Sequence, residues 1–468
     1  MFGQRFESVN FKGDLFGGVT TAIISLPLAL AFGVASGAGA EAGLWGAIMV
    51  GLFASLFGGS STLISEPTGP MTVIMTAVLT SMVAKYPETG IAMTFTVVMM
   101  AGAFQILLGT LKLGKYITLM PYSVISGFMS GIGVILIILQ LSPLLGHAAP
   151  TGGVIGTLTA LPHTLANLNI KELFLGVLTL GVLFLFPQQY RKYIPAQLVA
   201  LVAVTLISVI IFDTDSIRRI GEIPAGLPSI VIPTINSDMF MTMVIDALVL
   251  GTLGCIDTLL TAVIGDSLTR KEHDSDKELR GQGLANMISG LFGALPGAGA
   301  TMGTVTNIQV GARSPLSGVF RAAVLALVVL VAGGLTEPIP MAVLAGIAVY
   351  VGFNILDWSF IQRAHKVSFA GMAIMYGVML LTVFVDLIVA VGLGVFISNI
   401  IIIERLSREQ ARQVKAISDA DEDDVPLTDS ERRLLDKANG KVLFFYLSGP
   451  MIFSVSKAIA RQHSSISD

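Results

Sequence analysis

Pro296-Gly-Ala-Gly-Ala-Thr-Met-Gly-Thr-Val-Thr-Asn307 stands among apolar runs long enough to cross a bilayer, yet it opens on proline and small residues that give helix propensity away. Broken backbone at membrane depth survives only where protein buries it or where it lines a watery cavity. A helix that starts there points unpaired N–H groups and a partial positive charge at whatever fills the cavity. The stretch therefore reads as the start of a half-helix at an anion site.

The rest of the composition supplies the membrane. Of 468 residues 53% are hydrophobic and 13% charged, against about 25% charged in soluble domains, and the mean hydropathy is +0.81. A net charge of -3 carries little information here, because in such a chain the placement of Lys and Arg matters more than their sum. The single cysteine, Cys255, excludes an internal disulfide and any multi-cysteine metal cluster. Residues 1–10 are polar and no cleavable leader is evident; five scattered histidines show no ligand spacing; the absence of a phosphate-binding Walker loop points away from ATP-driven transport. Nothing suggests a nucleic-acid partner or an enzyme: no nucleophile–base pair can be assembled from the pattern.

Apolar runs of about 17 to 25 residues predict spans at Asp14–Ser36, Ala42–Gly58, Thr68–Ala84, Gly90–Leu111, Tyr122–Leu144, Glu172–Phe186 and Pro195–Phe212. After a polar stretch they predict Met241–Leu268, Leu279–Leu295, Thr301–Gly311, Ser317–Gly334, Pro338–Leu356, Phe369–Val385 and Leu387–Ile403. With the N-terminus inside, the basic residues at the ends of even-numbered spans all fall on the cytoplasmic side. The exception is Arg218-Arg219, in a longer loop. Both termini are thus expected in the cytoplasm of a multi-pass protein of the inner (plasma) membrane.

Seven spans per half mean that the second half enters the membrane in the opposite sense, which is an inverted repeat. The punctuation repeats as well: Ser60-Ser-Thr-Leu-Ile-Ser-Glu-Pro-Thr-Gly-Pro70 precedes one short span and Pro296–Ala300 the other. Paired interrupted segments are the best sequence pointer to a transporter's binding site. Glycine-rich first and second spans predict close packing. The expected organisation is a transmembrane domain over residues 1–404, with a core (about 14–112 and 238–334) working against a more lipid-exposed gate (about 113–213 and 338–404). A charged linker follows over 405–438, and residues 439–468 read as the strand (Lys441–Pro450) and helix (Ile452–His463) that begin a soluble domain.

Asp257 is the leading chemical candidate, because a mid-membrane carboxylate is expensive enough to be a functional hypothesis by default. Thr261 lies one turn on. With backbone carbonyls around Gly299 to Thr301 they offer hard oxygens to Na⁺; a titrating carboxylate would carry a proton instead, and a carboxylate satisfied by a polar neighbour would serve packing alone. Thr68, Gly69 and Thr72 open the first half-helix, and Thr301, Gly303 and Thr304 the second; facing N-termini can hold a small oxyanion without a basic side chain. Glu66 would oppose an anion unless neutralised. Arg321 and Asp386 are expected to be snorkelling residues near helix ends, and Asp246 ranks below Asp257.

At these residues the chain resembles the SulP family of anion transporters, and within it the cyanobacterial sodium-dependent bicarbonate transporters. The motifs are Gly13-Asp-Leu-Phe-Gly-Gly18, Leu28–Gly39, Leu63-Ile-Ser-Glu-Pro-Thr-Gly-Pro-Met-Thr72, Gly254-Cys-Ile-Asp257, Asp266-Ser-Leu-Thr-Arg270 and Gly297–Thr304. The resemblance implies an all-α fold of fourteen segments in a seven-plus-seven inverted repeat, elevator-type alternating access, a homodimer, and the start of a cytoplasmic STAS domain. It implies a Na⁺ site at Asp257, Thr261, Gly299, Ala300 and Thr301 and a bicarbonate site at Thr68, Ala300 and Thr301. Proton-coupled uptake of sulfate or a dicarboxylate, and an exchanger or channel on the same scaffold, are the alternatives.

Overall fold

The computed structural model describes residues 10–447 apart from 118–120, 192–193, 214–215, 222–225, 333, 335, 368, 386–388, 391–392, 402, 404–413, 418–426, 439–441 and 443. Asp386 and the predicted helix Ile452–His463 lie outside the described residues. The chain divides into two units, Met1–Val391 and Gly392–Asp468.

The first unit begins with α1 (Phe11–Ser36) and α2 (Ala40–Phe57), followed by the two-residue strand β1 (Ser65–Glu66) and the half-helix α3 (Gly69–Lys85). Then come α4 (Gly90–Thr110), α5 (Tyr122–Leu139), α6 (Gly153–Ala166), α7 (Ile170–Leu185) and α8 (Ala196–Ile211). The second half repeats the opening: α9 (Phe240–Thr269), α10 (Ser275–Leu291), strand β2 (Ala298–Gly299) and the half-helix α11 (Thr301–Val310). It continues with α12 (Leu316–Ala332), α13 (Met341–Ile355), α14 (Trp358–Val367) and α15 (Phe369–Phe384).

Among the described residues five helices are long and apolar enough to cross a membrane: Phe11–Ser36, Ala40–Phe57, Gly90–Thr110, Tyr122–Leu144 and Phe240–Thr269. Helices α6 and α7 form a pair bent by 117°, and α3, α8, α12, α13 and α15 are shorter apolar helices. Among the described helices of ten residues or more in this unit, two were not anticipated from sequence. Helix α6 carries Pro162 inside it and is only 14 residues long, too short and too interrupted to register as a span; α14 is a 10-residue helix that mixes aromatic and basic residues.

Packing follows the glycines of the first two spans. A Cβ at Gly43 would stand 2.0 Å from the Ala29 carbonyl oxygen and 2.9 Å from Gly33, so α1 and α2 meet backbone to backbone as the composition predicts. Asp14, fully buried, ties the start of α1 to the α11–α12 turn by accepting from Arg313 N–H (2.8 Å), Ser314 N–H (3.0 Å) and Ser314 Oγ (2.6 Å). The two arginines that broke the charge rule prove to be spoken for. Arg218 forks onto Glu172 (Nη2–Oε2 2.7 Å) and reaches the Pro143 carbonyl (3.1 Å). Arg219 donates to the Pro338 carbonyl and to Ser208 Oγ. Both arginines join their loop to the helices, Arg218 through a carboxylate and Arg219 through neutral acceptors.

The second unit holds α16 (Asp429–Ala438) and the antiparallel pair β3 (Val414–Ile417) and β4 (Phe444–Leu447), registered Val414↔Leu447 to Ile417↔Phe444. Residues 393–401 are helical. Within the stretch expected as a linker, 405–438, lie one strand of the pair and all of α16. Val414-Lys-Ala-Ile417 is only four residues long and carries a lysine, so it does not stand out from a charged linker by composition.

Candidate functional site

Helix α9 carries three side chains that reach the two breaks. Asp257 Oδ2 accepts a hydrogen bond from Thr68 Oγ1 at 2.9 Å, at the first break. Thr258 Oγ1 accepts from Gly299 N–H at 3.1 Å, and Thr261 Oγ1 donates to the Gly299 carbonyl at 2.9 Å while lying 3.0 Å from Thr301 Oγ1, at the second. Residues one turn apart on a helix share a face, so one face of α9 holds both interruptions.

The breaks also hold each other. Strands β1 and β2 pair antiparallel, Ser65 opposite Gly299 and Glu66 opposite Ala298, and Ala300 N–H continues the ladder to the Ile64 carbonyl at 2.8 Å. Each half-helix therefore starts beside the other's strand. Thr68 and Ala300 occupy the N-cap positions in extended conformation, and neither helix start receives a side-chain cap. Uncapped first-turn N–H groups are the ordinary means by which helix starts bind anions.

Thr301 is exposed and Thr68 half-buried, whereas Gly69, Thr72, Asp257, Thr261, Gly299 and Gly303 are buried. Of these residues Thr301 is the most open to the surface. Thr72 Oγ1 donates to the Thr68 carbonyl of its own helix (2.8 Å), and Thr304 Oγ1 accepts from Ile64 N–H (3.0 Å), so both hydroxyls fasten the helix starts. Gly303 packs against Ile64. Asp246 is half-buried near the start of α9.

Arg321 corrects the snorkelling expectation. It is 0% exposed. Its Nη2 donates to Glu66 Oε2 at 2.5 Å, Nε to Ser25 Oγ at 2.9 Å, and Nη1 to the carbonyls of Ser65 (3.1 Å) and Ala47 (3.3 Å). Ser25 Oγ donates in turn to Glu66 Oε2. Glu66 is therefore neutralised by a neighbour. A signal was present in the sequence: Glu66 and Arg321 are two opposite charges inside apolar runs, and a buried charge is tolerated only when paired.

Another set of residues went unnoticed at the sequence level. Asn286 accepts from Gly297 N–H (2.8 Å) and donates to the Gly297 carbonyl (3.0 Å) and to Gln105 Oε1 (2.9 Å). Gln282 donates to the same carbonyl (2.8 Å), and Ser289 Oγ to that of Leu295 (2.6 Å). Gln282, Asn286 and Ser289 fall at i, i+4 and i+7 on α10, a polar stripe that answers the open backbone before β2. That spacing was the available signal.

Among the described residues no three His, Cys, Asp or Glu side chains gather, and no basic side chain pairs with Asp257. One carboxylate with hydroxyls and carbonyls around it is a donor set for a hard cation rather than a transition metal.

A model of the sulfate permease family matches residues 11–378. The chain belongs to the sulfate permease family. Within that family it is 61% identical over 463 residues to a bicarbonate transporter, BicA, of Picosynechococcus sp., covering 98% of this chain and 82% of the relative. It is 62% identical over 459 residues to the BicA of Synechocystis sp., covering 98% and 81%. The solved transmembrane domain of a cyanobacterial BicA superposes with a TM-score of 0.79 at 62% identity, over 82% of this chain and 98% of that one. SLC26A9 shares the fold, with a TM-score of 0.79 at 20% identity over 88% of this chain and 68% of that one. The protein is thus a mostly helical, multi-pass membrane transporter of the sulfate permease family.

Proposed function

We propose that this sulfate permease family member takes up bicarbonate together with Na⁺, holding the anion between the starts of α3 and α11 and the cation at Asp257, Thr261, Gly299, Ala300 and Thr301. The observation that carries the reading is electrostatic. Asp257 has no basic partner among the described residues, and the buried guanidinium of Arg321 is bound to Glu66. An anion entering between the helix starts meets a net negative neighbour, and a monovalent cation at Asp257 removes that penalty. Bicarbonate follows from the two relatives named as its transporters.

The anion's ligands on this reading are the first-turn amides and hydroxyls at Thr68, Gly69, Ala300, Thr301 and Gly303, with Thr72 supporting Thr68. The carrier works as a dimer by an elevator motion of residues 14–112 and 238–334 against the remainder, within fourteen segments and with both termini in the cytoplasm. Uptake of labelled bicarbonate into proteoliposomes, with and without a Na⁺ gradient, tests the coupling: equal uptake in both refutes it. A second reading, proton-coupled sulfate uptake, draws on a putative sulfate transporter of Bacillus subtilis, YvdB, 32% identical over 415 residues. Uptake that follows a pH gradient and ignores Na⁺ selects it.

A further inference from the structure

We infer that Glu66 and Arg321 form a charge lock on the anion site: closed on each other, they withhold the guanidinium from the anion and thereby set which anions the site accepts. The inference deepens the reading of the site given above and rests on it for the anion's location.

All three nitrogens of the Arg321 guanidinium are engaged, by Glu66, Ser25 and the carbonyls of Ser65 and Ala47. Four of its five N–H groups are thus held by protein acceptors. The other carboxylate oxygen of Glu66, Oε1, lies 3.5 Å from where a Cβ on Gly303 would sit, so the carboxylate stands at the first turn of α11 and between that turn and the guanidinium. An anion at the half-helix starts is therefore screened from the buried positive charge by a negative one. Holding β1 in place does not itself require charges, since a buried ion pair adds little net stability over a neutral packing of the same shape. What the pairing does is cancel the Arg321 charge, which if left unpaired would make the site more positive. Two carboxylates, one guanidinium and two helix starts of about half a charge each leave the site close to neutral. That balance favours a monovalent anion with a monovalent cation over a divalent anion. Arg321 and Glu66 are in this sense positioning and specificity residues that do not touch the substrate.

The test is the preference between bicarbonate, sulfate and chloride, read in purified protein by anion-dependent thermal stabilisation and in proteoliposomes by competition for uptake. Glu66→Gln keeps the shape and an acceptor for Arg321 and Ser25 while freeing one positive charge. We expect the preference for sulfate over bicarbonate to rise at least ten-fold, the effect of one more unit charge within about 12 Å at an effective dielectric of about 20. Arg321→Lys keeps the charge and should leave the preference as in the parent, with maximal rate reduced. The neutral double variant Glu66→Gln/Arg321→Met should return the preference to the parent's. A Glu66→Gln protein that elutes as folded with an unaltered preference overturns the lock. So does an Arg321→Lys protein whose preference shifts as far as that of Glu66→Gln, or a double variant that departs from the parent. Should Glu66→Gln fail to fold, the single variant Arg321→Met decides: it leaves the Glu66 carboxylate uncompensated at the first turn of α11, so the preference for sulfate over bicarbonate should fall about ten-fold, and a folded Arg321→Met protein of parental preference overturns the lock. The parent's own Na⁺ dependence, measured in the same liposomes, tests the coupling separately: its absence refutes sodium coupling while the anion preferences still decide the lock.

Discussion

Gly69 offers a direct test of sliding between the half-helix α3 and the helices that flank it. A Cβ placed there would stand 2.4 Å from Cδ1 of Ile355, at the end of α13, and 3.6 Å from Leu136 Cδ2 on α5. Carbon atoms settle at about 3.5 to 4.0 Å, so Gly69→Ala must displace the Ile355 terminal methyl while leaving Leu136 in ordinary contact. The obstruction is the far end of one flexible side chain, and turning it off its rotamer costs about 1 kcal/mol. At the first residue of the helix, directly after the N-cap Thr68, the alanine adds little helix propensity of its own. Global stability should therefore change little. A penalty of about 1 kcal/mol confined to the state in which Gly69 faces Ile355 shifts the balance between transport states about five-fold. We expect Gly69→Ala to melt within a few degrees of the parent and to transport several-fold more slowly. Ile355→Val removes Cδ1 and with it the clash, so the double variant should recover the lost rate. The assay is initial uptake in proteoliposomes at saturating anion. A Gly69→Ala protein of parental turnover, or a double variant no faster than the single, refutes the idea that these surfaces pass one another during transport.

Asp257→Asn preserves an acceptor for Thr68 and removes the charge, so uptake should become indifferent to replacement of Na⁺ by choline; persistent Na⁺ stimulation contradicts the cation site. Asn286→Leu strands the Gly297 amide, and an unsatisfied buried donor costs about 1 to 3 kcal/mol, which thermal unfolding should register as a clear loss. Burial tends to raise the Asp357 carboxyl, but Tyr122 Oη–H, Ser126 Oγ–H and the Phe360 amide outweigh it and hold the group below its ordinary value. A depressed carboxyl lends stability that is complete above the ordinary carboxylate range and is lost as pH falls through the folded value. Acidification should thus lower the melting temperature, and less steeply in the Tyr122→Phe/Ser126→Ala variant; parallel profiles would speak against this cluster.

Much of this was legible because membrane burial makes sequence anomalies costly. The break at Pro296–Ala300 and its counterpart at Pro67–Thr68 announced themselves, since a bilayer tolerates such backbone only for a purpose. Asp257 did so for the same reason. What pattern could not convey was pairing across long separations. Glu66 and Arg321 looked like two unrelated charges, one of them a snorkeller, until the fold placed them in contact. The Gln282–Asn286–Ser289 stripe was hidden because a polar helical face is ordinarily taken as solvent-facing. Helix α6 escaped because the length criterion that finds spans passes over short helices bent against a neighbour.

The two-residue ladder between β1 and β2 also bears on how the protein is made. Its strands lie more than two hundred positions apart, so during synthesis β1 reaches the bilayer with its ladder partners not yet translated. Until Gly299 emerges, the peptide groups of Ser65 and Glu66 have no strand to pair with, and α3 has no stable start. The ladder predicts that the first half of the chain waits, its open peptide groups held by water or lipid headgroups, for the second to close it. Truncations that end before β2 should accordingly be cleared by proteolysis rather than accumulate as half-carriers.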